Sequence, residues 1–289
     1  MPSTLRQALS QAHQQLKLAL ALDEREARLE ARLLLGRVLQ RDRAWLIAHE
    51  SDALEANIHA AFEASVKRRV EGEPIAYILG HREFYGLDLK VTPATLIPRP
   101  DTEVLVEAAL AKIPSDQSTR VLDLGTGTGA IALAIATHRP DASVTAVDVS
   151  PDALAIAHEN AQRLRIANVR FVLSDWFEAL RAGGNPEKYD VIASNPPYIV
   201  AGDRHLSQGD LRFEPLSALA SGNDGLDDIR CIIADAALHL STGGFLLLEH
   251  GYDQAAAAAA LLSGAGYAEI HHHLDLGGIN RVTEGRWPG

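Results

Sequence analysis

Asn195-Pro196-Pro197-Tyr198 follows the apolar run Tyr189-Asp190-Val191-Ile192-Ala193-Ser194, so an amide, two rigid prolines and an aromatic ring stand where a buried strand should end. In open α/β sheets, ligands bind outside the carboxyl ends of the strands. The Asn195 side-chain carbonyl and the backbone carbonyls of Pro196 and Pro197 could accept both N–H donors of a planar amino group, with the Tyr198 ring as a packing wall against its flat face. Such a group belongs to a nucleobase or to a side-chain amide. An isolated Asn-Pro-Pro would be read as a turn; its surroundings argue for a site.

A second chemistry-bearing segment is Val121-Leu122-Asp123-Leu124-Gly125-Thr126-Gly127-Thr128-Gly129-Ala130, a strand running into a glycine loop that opens a helix. Glycines let the backbone approach a ligand closely. Two cofactors compete for such a loop. A nicotinamide dinucleotide would set its pyrophosphate on the helix N-terminus, whereas S-adenosylmethionine has no phosphate. Asp123, just before the first glycine, would repel a pyrophosphate and suit a cationic ligand, which favours the methyl donor. Asp148, at the end of the next strand, could take both ribose hydroxyls; its alternative role is to cap the helix starting at Pro151. In Ser174-Asp175-Trp176-Phe177, the carboxylate suits an adenine amino group and the indole could pack on a purine or belong to the core.

The elements that must position these residues are legible in outline. Residues 1–80 are rich in Ala, Leu, Arg and Glu with helical spacing, as in Ala27, Leu29, Leu33, Leu34, Leu35 and Val38. Four or five short helices are expected, with Asp23 and Ser51 as N-caps and Glu71-Gly72-Glu73-Pro74 closing the last. Residues 81–100 form a hairpin turning at Gly86 and a proline-stiffened linker. From 101 to 289, a helix over about Asp101–Lys112 precedes strands predicted at 120–124, 143–148, 169–173, 189–194 and 244–249, with a final pair near 267–273 and 280–285. Near-continuous apolar runs such as Phe245-Leu246-Leu247-Leu248 indicate strands buried on both faces, hence a doubly wound, mostly parallel α/β sheet with an antiparallel end.

Composition narrows the function classes. The net charge of −11 resides in residues 81–289, which hold 16 basic and 27 acidic side chains, while residues 1–80 hold eleven of each. No basic face for naked nucleic acid is evident. The single cysteine, Cys231, excludes a disulfide framework, and neither a signal-like start nor a membrane-length apolar stretch is found. A cytosolic protein is expected. His271-His272-His273 is read as a solvated strand end, since adjacent strand residues point to opposite faces. Glu249 and His250, after the fifth strand, are weaker candidates for facing the site.

Taken together, the segments resemble the PrmC/HemK family of class I S-adenosylmethionine-dependent methyltransferases. The likeness is carried by Phe84-Tyr85-Gly86, Ile97-Pro98-Arg99-Pro100-Asp101-Thr102-Glu103, the Gly125–Gly129 loop, Ser174-Asp175-Trp176-Phe177, Asn195-Pro196-Pro197-Tyr198, Arg212-Phe213-Glu214-Pro215 and Leu248-Glu249-His250-Gly251, in this order. The resemblance implies a seven-stranded Rossmann-like sheet and methylation of the glutamine side-chain amide in the Gly-Gly-Gln motif of peptide chain release factors. It implies cofactor contacts from Gly125, Thr126, Gly127, Thr128, Gly129, Asp148, Trp176 and Asn195, and substrate contacts from Asn195, Pro196, Pro197 and Tyr198, with Asn195 and Pro196 catalytic. It assigns no single contacts to Arg99–Glu103. The helical domain is expected to dock the protein substrate, and the chain to act as a monomer without membrane, metal or direct nucleic-acid contacts. The rivals are a nucleobase amino-methyltransferase, which uses the same strand-end logic on a flipped base, a noncatalytic adaptor and a dehydrogenase.

Overall fold

The structure, a computed structural model, describes residues 3–181 and 186–289. The chain divides into two units, Met1–His81 with Gln208–Phe213, and Arg82–Ser207 with Glu214–Gly289.

The first unit contains α1 (Leu5–Leu20), α2 (Glu24–Leu39), α3 (Arg43–Ala48), α4 (Ala56–Val70) and α5 (Ile75–Leu79). Thr4 opens α1 with a capping box closed by Gln7, and the Asp23 carboxylate accepts from the Arg25 and Glu26 N–H groups at the start of α2. Ser51 does not start a helix. The backbone around it pairs with the N-terminal segment (Leu5 N–H to Asp52 O, 3.0 Å; Leu54 N–H to Ser3 O, 2.9 Å), so α4 begins only after Glu55. The Glu71–Pro74 turn ends α4, but Pro74 then leads into α5 rather than closing the helical run.

Leu5, Ala8, Ala12 and Leu16 of α1 form one stripe, buried with Ala27, Ala31, Leu34 and Leu35 of α2 and Phe62 and Val66 of α4. Leu29 and Leu33 are 49% and 42% exposed; at 100° per residue they turn away from the stripe that Ala27 and Ala31 define. The unit also buries an ion pair, Arg69 donating to both carboxylate oxygens of Glu30 at 2.8 and 3.1 Å. Such a pair destabilises strongly when one partner is removed. Arg69 also reaches Asp210 (3.3 Å), and Arg212 donates to the Glu71 carbonyl (2.5 Å), which ties Gln208–Phe213 to these helices.

At the start of the second unit stand β1 (His81–Phe84), whose first residue belongs to the first unit, and β2 (Leu87–Lys90), joined by Tyr85 and Gly86 at φ 50° and 79°. Two successive positive φ values are what a tight hairpin turn matched to strand twist demands. There follow α6 (Glu103–Lys112), β3 (Arg120–Leu124), α7 (Ala130–His138), β4 (Ser143–Asp148), α8 (Pro151–Leu164), β5 (Val169–Leu173), β6 (Tyr189–Ser194), α9 (Asp227–His239), β7 (Leu240–Glu249), α10 (Ala255–Gly264), β8 (Ala268–Leu274) and β9 (Asn280–Arg286). The strands form one seven-stranded sheet in the order β5-β4-β3-β6-β7-β9-β8, parallel except for β9, which runs antiparallel to both neighbours.

Alternation along β3 serves both faces: Val121 packs with α6 and α7, and Leu122 and Leu124 pack with α9. The order reverses between β3 and β6, whose register pairs Leu124 with Ser194. That reversal is the switch point where a crevice opens at the strand ends. It places the glycine loop beside Asn195. Among the described residues, no helix is long and apolar enough to cross a membrane.

Candidate active site

Gly125, Gly127 and Gly129 take φ values of 71°, 55° and 85°. A side chain at Gly129 would bring its Cβ to 3.0 Å from Leu133 Cδ1 and 3.2 Å from the Ala157 Cβ, so that position needs glycine for both conformation and space. The loop is tied to the next strand. Thr126 N–H bonds the Val147 carbonyl (2.9 Å), and the Gly127 N–H bonds Asp148 Oδ2 (2.8 Å). Asp148 Oδ1 accepts from the Ser150 N–H (2.9 Å), while Ser150 itself caps α8 by accepting from the Ala153 N–H (3.2 Å). Asp148 is therefore a clamp on the glycine loop rather than the helix cap. Burial raises its proton affinity, and the backbone N–H groups act in the opposite direction.

A cleft of about 420 Å³ opens over these strand ends, walled by Gly125, Gly127, Asp148, Asp175, Trp176, Asn195 and Pro197 and flanked by Ala94–Leu96 and by Pro215, Ser217 and Ala218. Trp176 holds a positive φ of 43°, unusual for a bulky residue. Ser174 stabilises that turn, its hydroxyl donating to the Trp176 carbonyl (2.9 Å) and accepting from the Ala179 N–H (3.0 Å). The indole lies over the loop: a Cβ on Gly125 would sit 3.5 Å from its ring.

Asp148, Asp152, Asp175 and Asp228 line the cleft, and among the described residues no Lys or Arg does. An anionic wall of this kind repels a pyrophosphate and suits a sulfonium cation.

Asp123 is not part of that wall. It is fully buried beneath the loop, where Thr126 Oγ1 donates to its Oδ2 at 2.6 Å and the Ala132 N–H at 3.2 Å. The expectation that it faces the ligand is corrected: Asp148, Asp152, Asp175 and Asp228 line the cleft instead, and Asp123 staples the loop to α7. Burial pushes its pKa up to about 7. A raised carboxyl pKa means that the folded state holds the proton when the unfolded chain has lost it, so stability falls as pH rises from about 4 to 7. Asp123→Asn is expected to flatten that decline, with thermal midpoints gaining on the parent as pH increases; parallel profiles would show that the group does not titrate in this window.

Asn195 and Pro197 are on the cleft wall, whereas Pro196 is buried and Tyr198 stands behind the wall. The Asn195 Nδ2 donates to Thr102 Oγ1 at 3.1 Å. Behind it lies Glu249, 1% exposed, with no hydrogen-bond partner for Oε2 among the described residues. Burial drives its pKa up to about 7, against hydrogen bonding from the Thr102 and Asn195 side chains. Burial also raises the Tyr198 hydroxyl, and its backbone carbonyl accepts from Gln254 Nε2 at 3.1 Å.

Residues 7–80 match the family described as PrmC N-terminal domain, and residues 115–261 the family described as methyltransferase domain. The release factor glutamine methyltransferase of Bordetella pertussis is 53% identical over 258 residues, 89% of this chain and 94% of that protein. Its counterpart in Pseudomonas aeruginosa is 52% identical over 265 residues, 92% and 94% of the two chains. A solved methyltransferase from Pyrococcus furiosus aligns with a TM-score of 0.52 over 77% of this chain and 97% of its own, at 19% identity, a likeness of fold.

The chain belongs to the release factor glutamine methyltransferase family. The methyltransferase domain brings with it general use of S-adenosylmethionine.

In this methyltransferase Arg99, Asp101, Thr102 and Glu103 each hold a different partner. Arg99 pairs with the buried Glu214, whose other oxygen accepts from the Ile97 N–H (3.1 Å), so the two flanking segments of the cleft are joined. Asp101 pairs with Arg281 (3.0 Å), Thr102 meets Asn195, and Glu103 accepts from the Tyr85 N–H (3.1 Å). Thr102, Glu214 and the Ala94–Leu96 segment were not singled out by residue type. His250 is fully buried, with Nε2 2.7 Å from Thr283 Oγ1, and burial lowers its pKa. His272 and His273 bond Thr283 and Glu284 across β9 at 2.9 Å each.

Proposed function

We propose that this methyltransferase transfers the methyl group of S-adenosylmethionine to the side-chain amide nitrogen (N5) of the glutamine in the Gly-Gly-Gln motif of peptide chain release factors. The observation that carries this reading is the orientation of Asn195: its Nδ2 is taken by Thr102, which leaves Oδ1 as an acceptor at the mouth of a cleft fit for a cationic methyl donor. On this reading, Gly125–Gly129 hold the methionine and ribose portion, Asp148 the ribose hydroxyls, and Asp175 and Trp176 the adenine. S-adenosylmethionine supplies an electrophilic methyl group.

An amide nitrogen is a weak nucleophile because its lone pair is delocalised into the carbonyl. Asn195 Oδ1 and the Pro196 carbonyl each accept one glutamine N–H, holding the nitrogen in place and favouring the positive charge that grows on it during attack; the methyl–sulfur bond breaks as the C–N bond forms, and one N–H proton then leaves to give the neutral methylated amide. Pro197 bounds the amide plane, with the Tyr198 ring packed behind it as a supporting wall. The helical unit docks the release factor away from the chemistry, and the enzyme acts in the cytoplasm as a monomer. The nucleobase alternative is disfavoured by the acidic cleft and the charge of the chain as a whole.

Labelled methyl transfer to purified release factor, to the same factor with its Gly-Gly-Gln glutamine replaced, and to DNA and RNA tests the reading. Label is expected only in the intact factor. Label in nucleic acid, or equal label in the replaced factor, would overturn it.

A further inference from the structure

An asparagine clamp has an ambiguity that the glutamine reading must resolve. Turned by 180°, the Asn195 amide would present N–H donors to the N–H donors of the substrate and bind nothing usefully. Thr102 cannot decide between the two orientations by itself, since a hydroxyl can accept from Nδ2 or donate to Oδ1. An ionised carboxylate accepts only, and Glu249, whose pKa burial raises to about 7, takes that form as pH rises above neutrality. The register between β6 and β7 pairs Ser194 with Leu248, which carries Asn195 and Glu249 out of the sheet side by side. Glu249 is buried there with an oxygen left over, close to Thr102 and Asn195. Arg281, on β9, ion-pairs with Asp101 and Asp275 (3.0 and 2.9 Å) and places positive charge near this carboxylate.

Building on the glutamine-amide reading, we propose that Glu249 and Thr102 are positioning residues that fix the orientation of the Asn195 amide. Glu249 takes the available hydrogens on its side. Thr102 is thereby committed to accepting from Asn195 Nδ2, the 3.1 Å contact observed, and Oδ1 is turned outward. Burying an acceptor-only group against a strand end costs stability; its return here is a single polarity for the clamp.

The test is a double-mutant cycle on single-turnover methyl transfer to release factor, with cofactor affinity and thermal midpoint measured in parallel. Thr102→Val removes the hydroxyl at nearly constant shape and is expected to slow transfer by about tenfold, with cofactor affinity within about threefold of the parent. Thr102→Ser should restore most of the lost rate. Glu249→Ala should cost about a hundredfold and Glu249→Gln, which keeps one acceptor, less. In an Asn195→Ala background, neither Thr102→Val nor Glu249→Ala should slow transfer further. Losses that add in that background would overturn the proposal, as would full activity of Thr102→Val. If Glu249→Ala fails to fold, the Thr102 arm decides. Absence of transfer by the parent enzyme would instead be a failure of the functional reading.

Discussion

Asn195→Ala is expected to lower the rate of methyl transfer by about 10³-fold while leaving S-adenosylmethionine affinity within about threefold of the parent. The side chain contributes an acceptor aimed at the reacting group, and its loss removes both the hydrogen bond and the fixed position of a nucleophile that has little reactivity of its own. Asn195 lines the cleft and the family resemblance gives it a cofactor contact as well, but the glycine backbone and the carboxylates would carry most of the cofactor's hold. The fold should persist, because the following residues are anchored independently: the Ile199 N–H bonds the Leu219 carbonyl and the Ser221 N–H bonds the Ile199 carbonyl, at 2.9 and 2.8 Å. Single-turnover kinetics with calorimetric cofactor binding separates the two effects. A parallel loss of affinity and rate would move Asn195 into the cofactor site and out of the substrate clamp.

Asp148→Ala should show the opposite division. Its carboxylate accepts from the Gly127 and Ser150 N–H groups at 2.8 and 2.9 Å and forms part of the cleft wall. Hydrogen bonds to a charged group contribute about 1.5–3 kcal/mol each. Losing the clamp and the diol contact together is expected to weaken cofactor binding by about 10²-fold. At saturating cofactor, transfer should proceed within a few-fold of the parent rate, since Asp148 does not reach the substrate amide. A dissociation constant within about threefold of the parent would mean that the carboxylate holds only the loop.

The strands were legible because a parallel sheet buries both faces and writes itself as short apolar runs between turn residues. The predicted spans 120–124, 143–148, 169–173 and 189–194 coincide with β3 to β6, and only β7 starts earlier than expected, at Leu240. The glycine loop and the Asn-Pro-Pro-Tyr segment were equally readable, since both adjoin strand ends in the chain itself. Ser51 was misread because tertiary pairing with residues 3–5 outcompeted a local cap. Leu29 and Leu33 lie in a helix, as their spacing indicates, and only their angle around it turns them to solvent.

Asp123 shows the deeper limit. Its position beside Gly125 implied nearness to a ligand, yet strand alternation sends its side chain beneath the loop, fully buried, while Asp152, Asp175 and Asp228 reach the cleft from other segments. Chain order by itself determined the strand–loop–helix pattern and the residue types at the strand ends, because these depend on local periodicity and backbone conformation; the switch point between β3 and β6 follows from the strand order, which only the tertiary structure decided. The tertiary structure alone decided which carboxylates face the cleft, that Thr102 meets Asn195 across 93 residues, and that Glu249 emerges beside them. Those relations arise from strand register and burial, which bring distant residues within hydrogen-bond reach and leave no local trace in the chain.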